Sequence, residues 1–155
     1  MRRKTKRKKI NTFDTLYDNQ MIGKFINYIM RKGKKSVAEK VVYKSFEIIK
    51  EKTKSNPIEI FDKAVKNVSP ALEVKSRRVG GANYQIPQPV RAERKIQLAF
   101  RWIILAARAK KGQPMAVKLA EELILASKNE GAAIKKKLDT HRMAEANRAF
   151  AHFSW

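Results

Sequence analysis

Hydrophobic positions recur every three or four residues over most of the chain, a spacing that predicts a succession of amphipathic helices. The first helix is predicted over residues 22–30, with Gly33 as its C-terminal stop. The second is predicted to start at a capping box made by Ser36 and Glu39 and to run to about Thr53. Each helix then has one apolar face, which requires a core to pack against.

Four more helices are predicted after residue 55. Asn56 and Pro57 suit the N-cap and the first position of a third helix, which Pro70 ends. The last predicted helix is rich in alanine and other helix formers, and the sequence leaves open whether residues 139–140 interrupt it. The three later helices are predicted from Ala92 to about Lys110, from Pro114 to about Lys128, and from Ala132 to Phe150 or beyond, the last with Ile134, Leu138, Met143, Ala146 and Phe150 available for burial.

The helical period disappears between residues 72 and 90, where β-compatible residues flank Gly80 and Gly81. This pair predicts a hairpin with a two-residue turn. Pro87 and Pro89 lack the N–H that an inner strand needs, so the hairpin is expected to be exposed. The predicted fold is therefore mainly all-α, a single bundle of six helices with one protruding β-hairpin between the third and fourth helices.

The chain is expected to form one domain, because no linker divides its 155 residues. Residues 1–18 are predicted to be a flexible basic arm, since the first nine residues hold seven cations that repel one another. Residues 72–90 are predicted to project from the helices and to contribute little apolar area to the core.

The chain is strongly basic: 36 lysines and arginines stand against 14 aspartates and glutamates, a formal net charge of +22. Such a surplus requires a polyanion, for which nucleic acid is the first candidate and an anionic membrane surface the second. The absence of cysteine excludes disulfides and thiolate metal sites, and it favours a reducing, intracellular compartment. No stretch approaches 18 consecutive apolar residues.

The cations gather at the ends of predicted elements and on the hairpin. A single lysine or arginine usually does no more than solvate a helix face, but clusters at element boundaries favour phosphate binding. Arg94, Arg101 and Arg108 recur every seven residues and so stay on one side of their helix, with a drift of about 20° per step. Arg101 can also lie along Trp102 at the edge of the core, a packing role that is compatible with phosphate binding by the same stripe.

The two-residue turn also sets the register of the hairpin, in which Arg78 pairs with Asn83 and Arg77 with Tyr84. A guanidinium beside an aromatic ring makes a platform on which an unpaired base stacks, a mode typical of RNA recognition. The same pair is compatible with a cation–π contact, worth about 0.5–1 kcal/mol, that only stiffens the hairpin.

Residues suited to catalysis are scarce. The chain has two histidines, His141 and His152, and none of the usual nucleotide-binding or hydrolase motifs. His141 stands near Asp139 and Arg142, which leaves a nuclease-like site as an alternative, although such a helix more often binds phosphate without cleaving it. No catalytic residue, no metal site and no cofactor is therefore predicted.

Four segments resemble a known family. The stretches KFINYIMRKGKKS, EVKSRRVGGANYQIP, LAFRWIILAAR and DTHRMAEANRAFAHFSW are similar, in this order, to segments of the family of the seventh protein of the small ribosomal subunit, in its bacterial and organellar form. The resemblance covers nearly the whole chain. It implies a helical fold with a protruding β-ribbon and a non-enzymatic, cytoplasmic protein of the small subunit.

The resemblance also implies partners. These are small-subunit rRNA in its 3′ major domain, exit-site tRNA and mRNA, and neighbouring proteins of the head and platform, with no membrane and no small-molecule substrate. The role implied is to start assembly of the subunit head. The tRNA- and mRNA-proximal hairpin residues would be Arg77, Arg78, Gly80, Gly81, Asn83 and Tyr84, and the rRNA-binding residues Arg2, Arg3, Lys4, Lys6, Arg7, Lys8, Lys9, Lys32, Lys34, Lys35, Lys75, Arg77, Arg78, Arg94, Arg101, Arg108, Lys110, Lys111, Lys135, Lys136, Lys137 and Arg142.

Two departures from the family pattern bear on these expectations. Gln88 and Pro89 replace a more usual Val-Glu type of pair, which puts strand pairing beyond Pro87 in question, and Ser154 stands where arginine is frequent. Two other readings also stay open. One is a packaging or chaperone protein that binds any nucleic acid, and the other is an RNA-processing enzyme that uses His141.

Overall fold

The structure of the protein is a computed structural model that describes residues 13–153. The chain divides into two compact units, Met1–Glu39 and Lys40–Trp155. The elements in chain order are α1 (Gln20–Ile29), α2 (Lys35–Thr53), α3 (Pro57–Val68), β1 (Leu72–Val79), β2 (Ala82–Pro89), α4 (Ala92–Ala109), α5 (Met115–Ser127), α6 (Ala132–Ala146) and a 3-10 helix (Arg148–Phe153).

In the first unit, α1 begins at an N-cap that the sequence pattern did not reveal. The side chain of Asn19 accepts a hydrogen bond from the N–H of Met21 at 2.8 Å. The helix ends at Ile29, so the prediction that Gly33 stops it is wrong: the backbone already leaves the helical region at Met30, with φ −52° and ψ 134°. Gly33, at φ +73°, serves the turn that follows instead.

The predicted flexible arm, residues 1–18, is described only in its last part. Residues 1–12 lie outside the described range. Asp14 is buried and its carboxylate accepts hydrogen bonds from the N–H groups of Leu16 and Tyr17, at 3.3 and 3.0 Å. Flexibility of residues 1–12 therefore stays a prediction.

Helix α2 starts at a different residue from the predicted one, but it ends at the predicted residue. It begins at Lys35, so Ser36 lies inside the first turn and does not occupy the N-cap position of a capping box. It ends at Thr53, whose hydroxyl donates to the carbonyl of Ile49 at 2.7 Å. Helix α3 follows the prediction: Asn56 caps it through the N–H of Ile58, and Pro57 occupies the first turn.

Three phenylalanines link α2, α3 and α4 in the core of the second unit. Phe46, Phe61 and Phe100 are fully buried. Their ring centroids are 5.8 Å apart between Phe46 and Phe61 and 6.1 Å apart between Phe61 and Phe100. Burial of each such side chain stabilises the fold by about 1.5–3 kcal/mol. The core therefore extends across the three helices. The hairpin lies in the chain between α3 and α4.

A buried carboxylate fixes the start of α6. Glu122 of α5 is fully buried, and its Oε1 accepts a hydrogen bond from the N–H of Ala133 at 3.0 Å. A negative charge is favourable at a helix N-terminus. Gly131, at φ +96°, makes room for this contact, because a Cβ there would lie 2.9 Å from the same carboxylate oxygen.

Helix α6 corrects two expectations and answers one open question. It is continuous through residues 139–140, where the Thr140 hydroxyl donates to the carbonyl of Lys136 at 2.8 Å. It ends at Ala146 and a 3-10 helix follows, so the predicted extension to Phe150 is wrong. The Asn147 side chain donates to the carbonyl of Met143 at 2.7 Å, as a capping side chain does at a helix end.

The burial predicted along α6 is also wrong in part. Leu138 is 56% exposed and Met143 46% exposed, and Ala146 is exposed as well. Of the predicted residues Ile134 is buried as expected, and the other buried residues of α6 are Ala133, Thr140 and Ala144. The alanine-rich composition had left the buried face of this helix ambiguous.

The hairpin has the predicted turn and register. Gly80 and Gly81 both have positive φ, +57° and +92°, as a two-residue turn between twisted strands requires. Pairing continues past Pro87 to the pair Leu72–Pro89, so the replacement at positions 88 and 89 does not end the ladder. Because β1 and β2 form a two-stranded sheet, each proline can lack an N–H donor without breaking an inner strand. The predicted fold class is confirmed.

Candidate nucleic-acid interface

The two faces of the hairpin carry different side chains. Successive residues of a strand point to opposite faces, and residues paired across an antiparallel ladder share a face. We call the docked face the one formed by Glu73, Lys75, Arg77, Tyr84, Ile86 and Gln88, and the open face the one formed by Ser76, Arg78, Asn83 and Gln85.

The docked face packs on the body of the second unit. Ile86 is 0% exposed. The ring of Tyr84 lies 5.1 Å from that of Phe150 and 5.5 Å from that of Phe153, both in the 3-10 helix. The expectation that the hairpin contributes little apolar area is therefore wrong for its stem, and it holds only near the turn.

Arg77 belongs to this docked arrangement. Its guanidinium donates a hydrogen bond to the carbonyl of Phe153 at 3.3 Å. The predicted pairing of Arg77 with Tyr84 is confirmed in the register. Since Tyr84 is half-buried and packs on two phenylalanines, its ring is largely occupied by protein contacts.

The open face is polar and exposed at all four positions. The side chain of Arg78 makes no hydrogen bond or ion pair within residues 13–153. Asn83, its partner across the ladder, adds an amide with both donors and an acceptor. This face therefore offers a cation and hydrogen-bonding groups to a partner without disturbing the core.

At the root of the hairpin, one carboxylate holds two of the predicted cations. Glu73 Oε1 lies 3.2 Å from Lys75 Nζ, and Glu73 Oε2 lies 3.3 Å from Arg94 Nε. The Glu73 side chain is only 13% exposed. Lys75 and Arg94 are therefore positioned by an internal partner before any ligand arrives.

The remaining arginines of α4 have unequal surroundings. Arg101 is exposed, and its side chain makes no hydrogen bond or ion pair within residues 13–153. Arg108 is half-buried and has an interaction partner. Of the predicted stripe, Arg101 is thus the most accessible to phosphate.

Lys110 and Lys111 also differ. Lys110 Nζ lies 3.5 Å from a carboxylate oxygen of Glu121 and 3.4 Å from Glu122 Oε2, so it neutralises the buried acid that caps α6. Lys111 is exposed and has no such pair within the described chain. The structure therefore gives Lys110 an internal role that its place in a basic run did not indicate.

On α6, three consecutive lysines divide in the same way. Lys137 Nζ donates a hydrogen bond to the carbonyl of Asn67 at the end of α3, at 2.6 Å. Lys135 and Lys136 are exposed, and their side chains make no hydrogen bond or ion pair with residues 13–153. Arg142 is 83% exposed in its side chain and lies 4.0 Å from Asp139, a contact that is weak in water.

His141 has a structural contact. Its Nε2 accepts a hydrogen bond from the N–H of Ala71 at 3.1 Å, which requires that nitrogen to be unprotonated. Burial, and secondarily the charge of Lys137, lower the pKa of His141. The neutral ring therefore ties α6 to the residue that precedes β1.

In the first unit, the segment after α1 is basic and exposed. Lys32 has φ +52°, and it is exposed together with Lys34 and Lys35. Lys35 Nζ lies 3.7 Å from Glu39, one helical turn away. The predicted site residues in the arm, which are Arg2, Arg3, Lys4, Lys6, Arg7, Lys8 and Lys9, lie outside the described residues.

Residues 13–153 hold no group of three or more His, Cys, Asp or Glu side chains placed to bind a metal ion. Within the same range, none of the helices combines the length and the apolar character needed to cross a membrane.

Comparison with known proteins identifies the family. A family model described as ribosomal protein S7p/S5e matches residues 1–148. The chain belongs to this family. It is 57% identical to the small ribosomal subunit protein uS7 of Thermotoga maritima over 155 residues, with 100% of both chains covered. It is 56% identical to the protein of the same name from Desulfatibacillum aliphaticivorans over 142 residues, which cover 92% of this chain and 91% of that one.

Membership of the S7p/S5e family confirms the resemblance noted in the four sequence segments. The protein is a structural constituent of the small ribosomal subunit, of the bacterial type and thus cytoplasmic, and the family is not enzymatic. The contact of His141 with Ala71 agrees with this, because the ring is used within the fold.

The sequence reasoning missed three residues at the root of the hairpin. Glu73, Gln88 and Arg91 join Lys75 and Arg94 around a cleft. A signal was present for Glu73, since an acid two residues before a lysine on a strand shares its face. The contribution of Arg91 depends on how α4 leaves the hairpin, which no local pattern specifies.

Proposed function

We propose that the protein binds small-subunit rRNA directly, in the 3′ major domain, and thereby starts assembly of the subunit head. The observation that carries this proposal is a division among the cations. Lys110 and Lys137 bind internal partners, whereas Arg101, Lys135 and Lys136 extend from the second unit with no ion pair among residues 13–153. Exposed cations of this kind supply affinity by releasing counterions from phosphate.

We also propose that the open face of the hairpin lies near exit-site tRNA and the mRNA exit. Arg78 and Asn83 support this, because both are exposed near a turn and neither is needed for packing. Contacts with neighbouring proteins of the head and platform stay a prediction.

Salt-dependent binding to a fragment of the 3′ major domain tests the rRNA proposal. Engagement of about five to ten phosphates, each adding about 0.7–0.9 to the log–log slope, should make affinity fall steeply with salt. An unrelated duplex of equal length is the control, and it should bind at least tenfold more weakly. Equal affinity for both would favour a packaging or chaperone protein, and a slope near zero would refute phosphate binding.

Deletion of residues 1–9 tests the arm separately. The seven cations of this segment should contribute to the slope and nothing to the helical core, so affinity should fall without a change in helical circular dichroism. A large loss of thermal stability would show that the arm is part of the fold.

Reconstituted subunits test the hairpin proposal. Subunits carrying Arg78→Ala and Asn83→Ala should assemble normally, retain exit-site tRNA more weakly and keep the reading frame less faithfully. Gln85→Ala, on the same face but farther from the turn, is the matched control. Impaired assembly, with normal tRNA retention by the subunits that do form, would mean that these residues bind rRNA instead.

A further inference from the structure

A cleft of about 850 Å³ lies at the root of the hairpin, where both strands meet the start of α4. A volume of this size falls in the range of pockets that bind small molecules. Five polar side chains line it, and they are Glu73, Lys75, Gln88, Arg91 and Arg94.

The charges that line the cleft favour a ligand that is anionic and can also donate hydrogen bonds. Three cations against one carboxylate leave a positive surplus that attracts phosphate. Glu73 would repel a ligand that is only anionic, and at 13% exposure it is held in place by Lys75 and Arg94. Each carboxylate oxygen still has acceptor capacity after one contact. The fitting ligand therefore combines a phosphate with N–H donors.

A nucleotide has this combination, and among the four RNA bases guanine fits best. Its Watson–Crick edge presents two adjacent N–H donors, at N1 and N2, which one carboxylate can accept together, and beside them the acceptor O6. Gln88 pairs with Glu73 across the strands, so its amide shares the docked face and can supply a donor for O6. Proteins read unpaired RNA bases through such edges.

We infer that this cleft binds a single unpaired guanosine nucleotide of RNA. Glu73 and Gln88 recognise the base, and Lys75 and Arg91 bind its phosphates, while Arg94 fixes the carboxylate. The inference rests on the proposed binding of rRNA, which it deepens by naming a site that reads a base rather than phosphate alone.

Titration of the full chain with GMP, AMP, CMP, UMP and inorganic phosphate tests the inference. Amide chemical shifts should locate GMP at Glu73 and Gln88, and GMP should bind at least tenfold more tightly than AMP, as a paired set of hydrogen bonds to a base edge provides. Equal affinities for the four nucleotides, or phosphate alone binding as tightly as GMP, would overturn it and leave a general anion site.

The variant Glu73→Gln separates recognition from structure. Loss of a negative charge should raise affinity for a non-specific polyanion such as heparin, while the preference for GMP over AMP should fall at least fivefold. If the role of Glu73 is purely structural, the affinity for heparin and the affinity for GMP should fall together. Gln88→Ala, which leaves both ion pairs of Glu73 intact, should lower the preference for GMP without affecting stability, and unchanged preference in both variants would refute the assignment.

Binding of the rRNA fragment, measured in parallel, distinguishes two kinds of failure. Normal salt-dependent rRNA binding without a preference for GMP refutes only the guanosine site. Failure of the unmodified protein to bind the rRNA fragment specifically refutes the proposed function itself.

Discussion

The docked face and the open face of the hairpin are built from alternate residues of the same two strands, yet their surroundings differ. Arg77 donates to a backbone carbonyl of the 3-10 helix, whereas Arg78, the next residue, is exposed with no such bond within the described chain. Tyr84 packs on two aromatic rings, and Asn83 beside it is exposed. A run of cations on a strand therefore divides between its two faces: here Arg77 is bound within the fold, and Arg78 is left exposed to solvent.

The largest difference between the faces should appear in stability. Ile86→Ala removes a fully buried side chain of the docked face and should lower the free energy of unfolding by about 2–5 kcal/mol. Gln85→Ala, on the open face, should change it by less than about 0.5 kcal/mol. Urea denaturation measures both, and equal losses would mean that the two faces are not distinct.

Tyr84→Ala should have the next largest effect. The substitution removes the contacts of the Tyr84 ring with Phe150 and Phe153 and should lower the free energy of unfolding. Each aromatic pair contributes about 0.5–1.5 kcal/mol beyond the area that it buries. Asn83→Ala is the matched control and should leave stability unchanged. If Tyr84→Ala is as stable as the control, the 3-10 helix does not hold the hairpin.

Much of this arrangement was predictable, and part of it was not. The Gly80-Gly81 turn set the register, and the alternation of Tyr84 and Ile86 with polar neighbours contained the signal for two faces. The identity of the docked partner was hidden, because Phe150 was expected to continue a helix that instead ends at Ala146.

The internal roles of cations were equally hidden in the sequence. Residues 136 and 137 are both lysines, but only Lys137 lies within hydrogen-bonding distance of the Asn67 carbonyl, and Lys136 is exposed. The difference depends on where the fold places Asn67. A local pattern gives the face of a helix or strand, but the partner across a core comes from residues distant in the chain.

A smaller effect is expected on RNA binding. Arg78→Ala should lower the salt slope for binding of exit-site tRNA to reconstituted subunits by about 0.7–0.9, the contribution of one phosphate, while stability stays the same. Arg77→Ala should change the slope less, because its guanidinium already has a partner in the fold. A larger slope change for Arg77→Ala than for Arg78→Ala would reverse the assignment of the two faces.

The smallest effect concerns His141, which anchors the root of the hairpin. The folded protein holds its pKa below the usual value near 6.5, so the unfolded chain takes up the proton first as pH falls. This contribution to stability is therefore complete above about pH 6.5 and is lost below it. Urea denaturation at pH 7.5 and 5.5 should show a smaller pH dependence for His141→Gln than for the unmodified protein, and identical dependences would mean that the fold does not lower the pKa of His141.

The contact between Tyr84 and the 3-10 helix has a consequence for the growing chain. The two strands pair through neighbours in sequence, so the hairpin can form soon after it leaves the ribosome that makes it. Its aromatic partners are synthesised only after α4, α5 and α6. Until the 3-10 helix has been translated and has folded onto the hairpin, the nascent chain therefore exposes Tyr84 and Arg77 together.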